Sequence, residues 1–513
     1  MKRLELSART LLSALALGAL ATGAALAQNA PPTVIKEPGL PPIQMPSPAP
    51  QPTISGTPLP YPAYGTPAPD VARLAPKKGV PVSVGLTDSV KIAVALSPTF
   101  ATQNAQWAEI HAKYTSSVQA LFPGISGTAT AGKAYSNGTS AASPSGVISG
   151  TYTQSTVTNE SVGIAVTQLI FDGGRTIANI RSSKEADIAG RATLLRQLQT
   201  LALNVANAYY NVLEDQATVA ADAQLVREFE VNEASTAAQI RNGAAARSDI
   251  AAAQFQTAQA RGNLVTAQGV AIGAQATFAT TLGLDADAEI VPKQVGPQPA
   301  AANPTYQASL RRALIMRPDY ISAAYTVQSD QENVRYAKLA RFPILSAAAS
   351  DNIGRTFVNC FVGPNNAGIE VSSCPGPQGF ANNKALGLNL TIPIYDQGVT
   401  NYNVAIAAAQ LDQANANLNL TRLTVESDVR SALATLISAR SSLVQARSEL
   451  TAAQVSLDAT QAQYRVGSTT ILNLVTAEAN LTTAQSSYIT ALYGVRTAEQ
   501  NYLYATGVTD VQL

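Results

Sequence analysis

Two stretches of this chain carry apolar residues at intervals of seven. In the later one, Leu411, Leu418 and Val425 form a first run, and Val429, Leu436, Leu443, Leu450, Leu457 and Tyr464 a second. A four-residue step joins the runs, the stutter of a coiled-coil seam. The same pattern stands 224 residues earlier: Leu194 and Leu201, then Val205, Val212, Val219, Val226 and Ile240, with Glu233 the one polar residue on the seam. No proline falls between Pro144 and Pro292 or after Pro393, and a proline inside a helix costs about 3 kcal/mol. The pattern predicts two very long helices, Ala178–Gly243 and Tyr402–Gly467, each roughly 65 residues and ~100 Å, packed as coiled coils. Beyond Gly243 and Gly467, helices of about 38 residues are expected to return. Leu474, Leu481, Tyr488, Val495 and Tyr502 continue the seam on the second, and Ile250, Thr257, Leu264, Ala271 and Phe278 more weakly on the first.

A different period appears between the helical stretches. Leu386, Leu388, Leu390, Ile392 and Ile394 alternate with Ala385, Gly387, Asn389, Thr391 and Pro393, and Val162, Ile164 and Val166 alternate with small residues. Period two with one aliphatic face predicts strands of about ten residues, the pattern of transmembrane strands. Phe122, Phe171, Phe342 and Tyr395 mark all four expected strand–helix junctions, and aromatics favour the membrane–water boundary. Ordinary core packing near turns is the alternative for them. Four strands cannot close a barrel, and lipid tolerates no open edge, so the chain is expected to oligomerise. Two chains leave little lumen; three leave room for a pore.

The landmarks recur at fixed intervals. Pro98 and Pro123 are 25 apart, as are Pro318 and Pro343; Asp172–Gly243 and Asp396–Gly467 both span 71; Gly243–Gly283 and Gly467–Gly507 both span 40. Such agreement reads as an internal duplication. The first repeat is placed at 84–291, with strands near 124–135 and 160–171, and the second at 304–513, with strands near 343–354 and 384–395. A linker, 292–303, is expected between them. Short helices, Thr87–Leu96 and Tyr306–Met316, precede the first proline of each copy, and second helices, Thr99–Phe122 and Asp319–Phe342, follow it.

Composition narrows the function classes. Charged residues are 13% and the net charge is +1, so no basic surface for nucleic acid is expected. Lys2, Arg3 and Arg9 precede the apolar run Leu11–Leu26, which reads as a secretory signal over residues 1–27; a membrane anchor is the alternative. Residues 28–83 form a linker, in which Gln28–Pro81 holds 16 of the 29 prolines. The two cysteines, Cys360 and Cys374, suit a disulfide in an extracellular loop of an exported protein, a free pair being the alternative. Ser136–Asn159 reads as the other extracellular loop. His111, the only histidine, reads as a packing or surface residue. Gly173-Gly174 reads as a tight strand-to-helix turn. No catalytic constellation, cofactor motif or metal-ligand cluster stands out, so an enzyme is not expected.

Leu169-Ile170-Phe171-Asp172-Gly173-Gly174, Ile392-Pro393-Ile394-Tyr395-Asp396-Gln397-Gly398 and Tyr464-Arg465-Val466-Gly467, set in the duplicated layout, resemble the TolC-type outer-membrane channels. The resemblance covers roughly Leu86–Val508. It implies a mixed α/β membrane protein: a homotrimer with a twelve-stranded barrel in outer-membrane lipid, continued by a helical coiled-coil tunnel across the periplasm. It implies a passive exit conduit for efflux or type I secretion, working with a periplasmic adaptor and an inner-membrane pump. The family's tip gate falls on Tyr464, tied to Asp249, with Ser248 beside it. Three positions depart: the gate arginine is Thr469, and the two ring aspartates are Asn473 and Thr476. Arg247 or Arg465 stands within a turn of the tip and could replace the lost tie; the alternative is that these are solvated residues meeting only the adaptor. A periplasmic coiled-coil adaptor or a structural surface protein is the competing reading of the whole chain.

Overall fold

The computed structural model describes residues 82–140, 151–243, 246–294, 303–362 and 379–508, with backbone alone at 136–140, 151–155 and 358–362. The expected signal, nearly all of the proline-rich linker and Cys374 lie outside the described residues. In chain order the elements are β1 (Val82–Val84), α1 (Leu86–Leu96), α2 (Pro98–Gln119), β2 (Gly124–Ser140), β3 (Thr151–Phe171), α3 (Arg175–Arg241) and α4 (Arg247–Thr281). Then follow β4 (Ile290–Pro292), α5 (Tyr306–Met316), α6 (Pro318–Lys338), β5 (Ile344–Val362), β6 (Ala381–Thr391), α7 (Val399–Arg465) and α8 (Ile471–Ala505).

The two halves match in order and length. α3 and α7 have 67 residues each, and α4 and α8 have 35 each, slightly fewer than expected because the turns consume residues on both sides of Gly243 and Gly467. The heptad positions are the packed ones: Val205, Val212, Val226, Val425, Val429, Leu436 and Leu457 are buried. The stutter has a tertiary cause. Val425 and Val429 pack under α5 through Ala313, Leu310 and Tyr306, and Val205 lies under α1 with Val90, Ile92 and Ala93. The four-residue step rotates the seam to face a short helix docking across it.

α2 and α6 start at Pro98 and Pro318, where the missing N–H costs nothing in the first turn. They end earlier than expected, at Gln119 and Lys338, before the segments that lead into the strands. Asp172 caps α3: its Oδ1 accepts from Gly174 N at 3.0 Å, and its Oδ2 from Thr176 N at 2.6 Å and Thr176 Oγ1 at 2.5 Å. Asp396 caps α7 in the same way, accepting from Gly398 N at 3.1 Å and Thr400 N at 2.8 Å. Gly173 sits at φ +71° with Phe342 against it, where a Cβ would lie 2.3 Å from the ring-bearing carbon. The glycine pair is thus a strand-to-helix turn closed by an aromatic.

The sheet is antiparallel with order β2-β3-β5-β6. Three strands run further than expected. Ser136–Asn159 is not all loop: β2 continues to Ser140 and β3 begins at Thr151, and 141–150 lie outside the described residues. Ser, Thr and Gly on both faces hid the alternation there, while backbone pairing continued. β5 reaches Val362, so Cys360 lies on a strand, paired in register with Ser155. β6 is shorter and ends at Thr391, because Pro393 has no N–H for the ladder.

A second sheet went unforeseen. β1 and β4 pair in parallel, Val82 with Ile290 through Val84 with Pro292, and Lys293 N donates to Val84 O at 2.8 Å. Tyr209 Oη donates to Lys293 O. Pro292, placed in the linker expected at 292–303, therefore belongs to β4, and 295–302 lie outside the described residues. Three residues are too few to show a period.

Candidate functional site

The sheet has two unlike faces. One carries Ile125 on β2, Val162, Ile164 and Val166 on β3, Ala349 and Ile353 on β5, and Leu386, Leu388 and Leu390 on β6, as the registers require. Apart from the half-buried Val166 and Ala349, these side chains are open to the surroundings, Leu386 at 87%. The other face is small and polar: Ser126, Thr128, Thr130, Ser161, Gly163, Asn352 and Asn389. Thr130 and Ser161 share a hydroxyl contact of 2.7 Å, and Asn352 lies directly over Gly163.

Phe122, Phe171, Phe342 and Tyr395 are exposed at one end of the aliphatic face, so they are not core packing within the chain. At the other end sits a belt that sequence reading missed. Arg355 Nε donates to Glu160 Oε2 at 2.6 Å, and its guanidinium lies over the rings of Phe357 and Phe380 at 4.7 and 5.0 Å. Lys384 pairs with Asp351 at 3.5 Å. On the four strands the first charged residue of this face is 9 to 11 positions from the junction aromatic: Lys133, Glu160, Asp351 and Lys384. At ~3.3 Å per residue and ~40° of tilt, that rise is about 25 Å, the height of a membrane-facing apolar band.

The helices pack side by side in one layer. Near the sheet, α2 packs on α3, α3 on α6, and α6 on α7. Near the far tip, α4 packs on α3, α3 on α8, and α8 on α7. The layer is thus bounded by β2, α2 and α4 on one side and by β6 and α7 on the other. Both borders carry exposed apolar side chains: Phe255, Val265 and Ile272 on α4, and Tyr402, Leu420, Leu423, Val444 and Val455 on α7.

At the tip, each helix pair has its own apolar seam. Leu225, Val226, Phe229 and Ala260 join α3 to α4, and Leu457, Leu474, Ala477 and Leu481 join α7 to α8. Between the pairs the contact is mixed: Tyr493 of α8 packs against the apolar cluster around Val205 and Tyr209 of α3. Near the tip Asn232 Nδ2 donates to Glu478 Oε1 at 2.5 Å; far from the tip, at the other end of α8, the Thr200 and Tyr504 hydroxyls meet at 3.1 Å and Arg196 lies 3.6 Å from the Tyr504 ring centre.

These elements match known proteins across nearly all of the described chain. The family model for outer membrane efflux proteins matches residues 90–284 and again 309–508. The chain belongs to that family. BepC, an outer membrane efflux protein of Brucella suis biovar 1 (strain 1330), is 26% identical over 352 residues, 68% of this chain and 72% of BepC. A membrane protein from Pseudomonas aeruginosa shares the fold with a TM-score of 0.66 at 20% identity, over 87% of this chain and 99% of that one. The Campylobacter jejuni CmeC outer membrane channel shares it with a TM-score of 0.66 at 16% identity, over 82% and 85%. This outer membrane efflux protein is an exit channel of the outer membrane with its helical part in the periplasm. Channels of the family work with an adaptor and an inner-membrane pump, and the family is one of conduits rather than enzymes.

In this efflux protein the residues singled out at the tip are placed as follows. Gly243 and Gly467 turn the chain at φ +70° and +73°. Ser248 Oγ donates to Asp249 Oδ1 at 3.3 Å, and Asn473 Nδ2 donates to Thr469 Oγ1 at 2.8 Å. Thr476 is exposed and donates to Leu472 O at 2.8 Å. Arg247 and Arg465 are exposed and make no ion pair among the described residues. Tyr464 Oη is buried and makes no hydrogen bond of normal geometry within the chain. Burial pushes the Tyr464 hydroxyl up; nearby Thr236 opposes that, and Asp249 adds to it. Tyr464 thus faces α3 as well as Asp249. Asn232, Glu478 and the buried Arg317 were not foreseen. Glu233 on the seam was the one hint of polarity near Asn232.

Proposed function

We propose that three copies close into one channel, each supplying a four-stranded sheet and two helix pairs derived from one duplicated unit. The observation that carries this is the set of open borders. β2, α2 and α4 end the layer on one side, and β6 and α7 on the other, so every layer lacks a neighbour in the same rotational direction. A head-to-tail contact repeated around an axis satisfies all of them at once. Three sheets of four strands make a barrel of twelve, with the aliphatic face and its two belts toward lipid and the small polar face lining the lumen.

In this reading the protein is a passive conduit. A pump and an adaptor supply substrate and energy, for efflux or for type I secretion, and the helical tip rests closed. Tyr464, Asp249 and Ser248 stand at the constriction, with Arg247, Arg465, Thr469, Asn473 and Thr476 around it. A periplasmic adaptor or a surface fibre would share the heptads but has no use for a sheet with one aliphatic face.

Native mass measurement of detergent-extracted protein is expected to give three chains, and planar bilayers are expected to show a discrete conductance. A monomer without conductance would overturn the reading.

A further inference from the structure

The tip lacks the family's arginine and both aspartates, yet a carboxyl group is buried across the seam between the two helix pairs. Glu478 on α8 is 4% exposed and accepts from Asn232 of α3 at 2.5 Å. Its neighbours Leu474, Ala477 and Leu481 belong to the apolar α7–α8 seam. On α3, Glu228, Asn232 and Thr236 are four apart and so share one stripe. Asn232 holds Glu478, and buried Thr236 lies by Tyr464.

The charged surroundings offer Glu478 no cation. From α3 it is Glu228 that acts on it. α7 brings Leu457 and Tyr464 to this level, with Asp458 and Arg465 exposed. On α4, Asp249 acts on Tyr464, and Arg261 is tied to Glu230 at 2.7 Å. Among the described residues no lysine or arginine pairs with Glu478.

We propose that protonated Glu478, held by Asn232, latches the α7–α8 pair to α3 and keeps the tip shut, and that loss of its proton loosens the latch. This rests on the reading of the tip as a gate. Each pair has its own apolar seam, and near the tip the pairs meet through Asn232 and Glu478, so water reaches Glu478 when they part there. Burial pushes the Glu478 carboxyl up to about 7; the Asn232 bond pulls the other way, and Glu228 adds to the rise. With the seam open, the carboxyl returns toward its ordinary value of 4.5. The closed form therefore binds the proton more tightly. Acid favours closure fully below 4.5, and that advantage is lost as pH rises through about 7. The span corresponds to a change on the order of 100-fold in the closed-to-open ratio per chain.

The test is the pH profile of single-channel open fraction for the full chain in planar bilayers, from about pH 5 to about pH 8. The wild type is expected to open as pH rises. Glu478→Gln, which keeps the shape of the neutral acid, is expected to stay at the acid level throughout, and Asn232→Ala to raise the open fraction at every pH. As a second readout, Glu478→Gln is expected to raise Tm at neutral pH and leave it unchanged in acid. A Glu478→Gln profile that titrates like wild type, a flat wild-type profile, or a lowered neutral-pH Tm for Glu478→Gln overturns the latch. A channel that conducts with a flat profile removes the latch alone. A chain that conducts in no form, Tyr464→Phe/Asp249→Ala included, removes the gate reading beneath it.

Discussion

Arg317 Nη1 donates to Asp428 Oδ2 at 2.9 Å from a side chain only 2% exposed. The same guanidinium holds Asp319 through Nε at 3.0 Å and Nη2 at 2.6 Å. Arg196 of α3 approaches Asp319 at 3.6 Å and donates to Tyr504 O at 3.0 Å. At this waist the start of α6, the middle of α7, the end of α8 and α3 are tied through two buried cations.

Arg317→Ala leaves Asp428 without its partner and Asp319, 29% exposed, with Arg196 alone. Breaking a buried pair costs about 3–5 kcal/mol, and a large drop in Tm is expected. Asp428 is 43% exposed, so Asp428→Asn is expected to cost only about 1 kcal/mol. Thermal unfolding of both variants checks the order.

The same site sets an acid response. Burial pushes the Asp319 carboxyl up, but the Arg317 bond and the charges of Arg196 and Arg317 outweigh it, so it sits below its usual value. Its contribution is present above the ordinary value of 3.8 and is lost as pH falls through the lowered one. Asp319→Asn is expected to lower stability at neutral pH and to flatten the loss below about pH 4, read by melting across pH.

Gly283 and Gly507 are expected to reject alanine. Both have positive φ, and an added Cβ would stand 2.6 Å from Leu96 O in one and 2.7 Å from Arg317 N in the other. Gly243 and Gly467 have positive φ but nothing within 4 Å. Alanine there is expected to cost about 1–2 kcal/mol, the left-handed backbone alone, and clearly more at the crowded pair. Denaturant unfolding of the four single variants gives the comparison.

Asp172→Ala is expected to cost about 1–2 kcal/mol by uncapping α3, and Asp396→Ala is expected to lower Tm by uncapping α7. Asp396 is held below the usual carboxylate range by Thr400, through its hydroxyl and then its N–H, and by Gly398 N. Melting temperatures of the two variants, with Asn replacements as partial rescue, check this.

Tyr464→Phe with Asp249→Ala is expected to raise single-channel conductance. Tyr464→Phe alone is expected to be neutral or slightly stabilising in thermal unfolding, because it removes a buried hydroxyl that lacks a partner within the chain. Unchanged conductance in the double variant would count against a gate at these residues.

Much of this protein was legible along the chain. Heptads with a stutter, two proline-free windows and a period of two define helices and strands through contacts repeated every few residues, and equal intervals between prolines, aspartates and glycines expose the two matching halves. Those signals are local, so they survive in a linear string. Contacts between distant segments do not. Glu160 meets Arg355 only because β3 and β5 pair in one register, and a slip of one residue would send either side chain to the other face. The β1–β4 pair is too short to announce itself. Arg317 and Asp428 are 111 residues apart, and Asn232 and Glu478 are 246 apart. Nothing near either partner signals the other. The chain order could say that the helices are long and paired; only their packing decided that Asn232 and Glu478 meet near the tip, because burial and charge are properties of what lies across the seam.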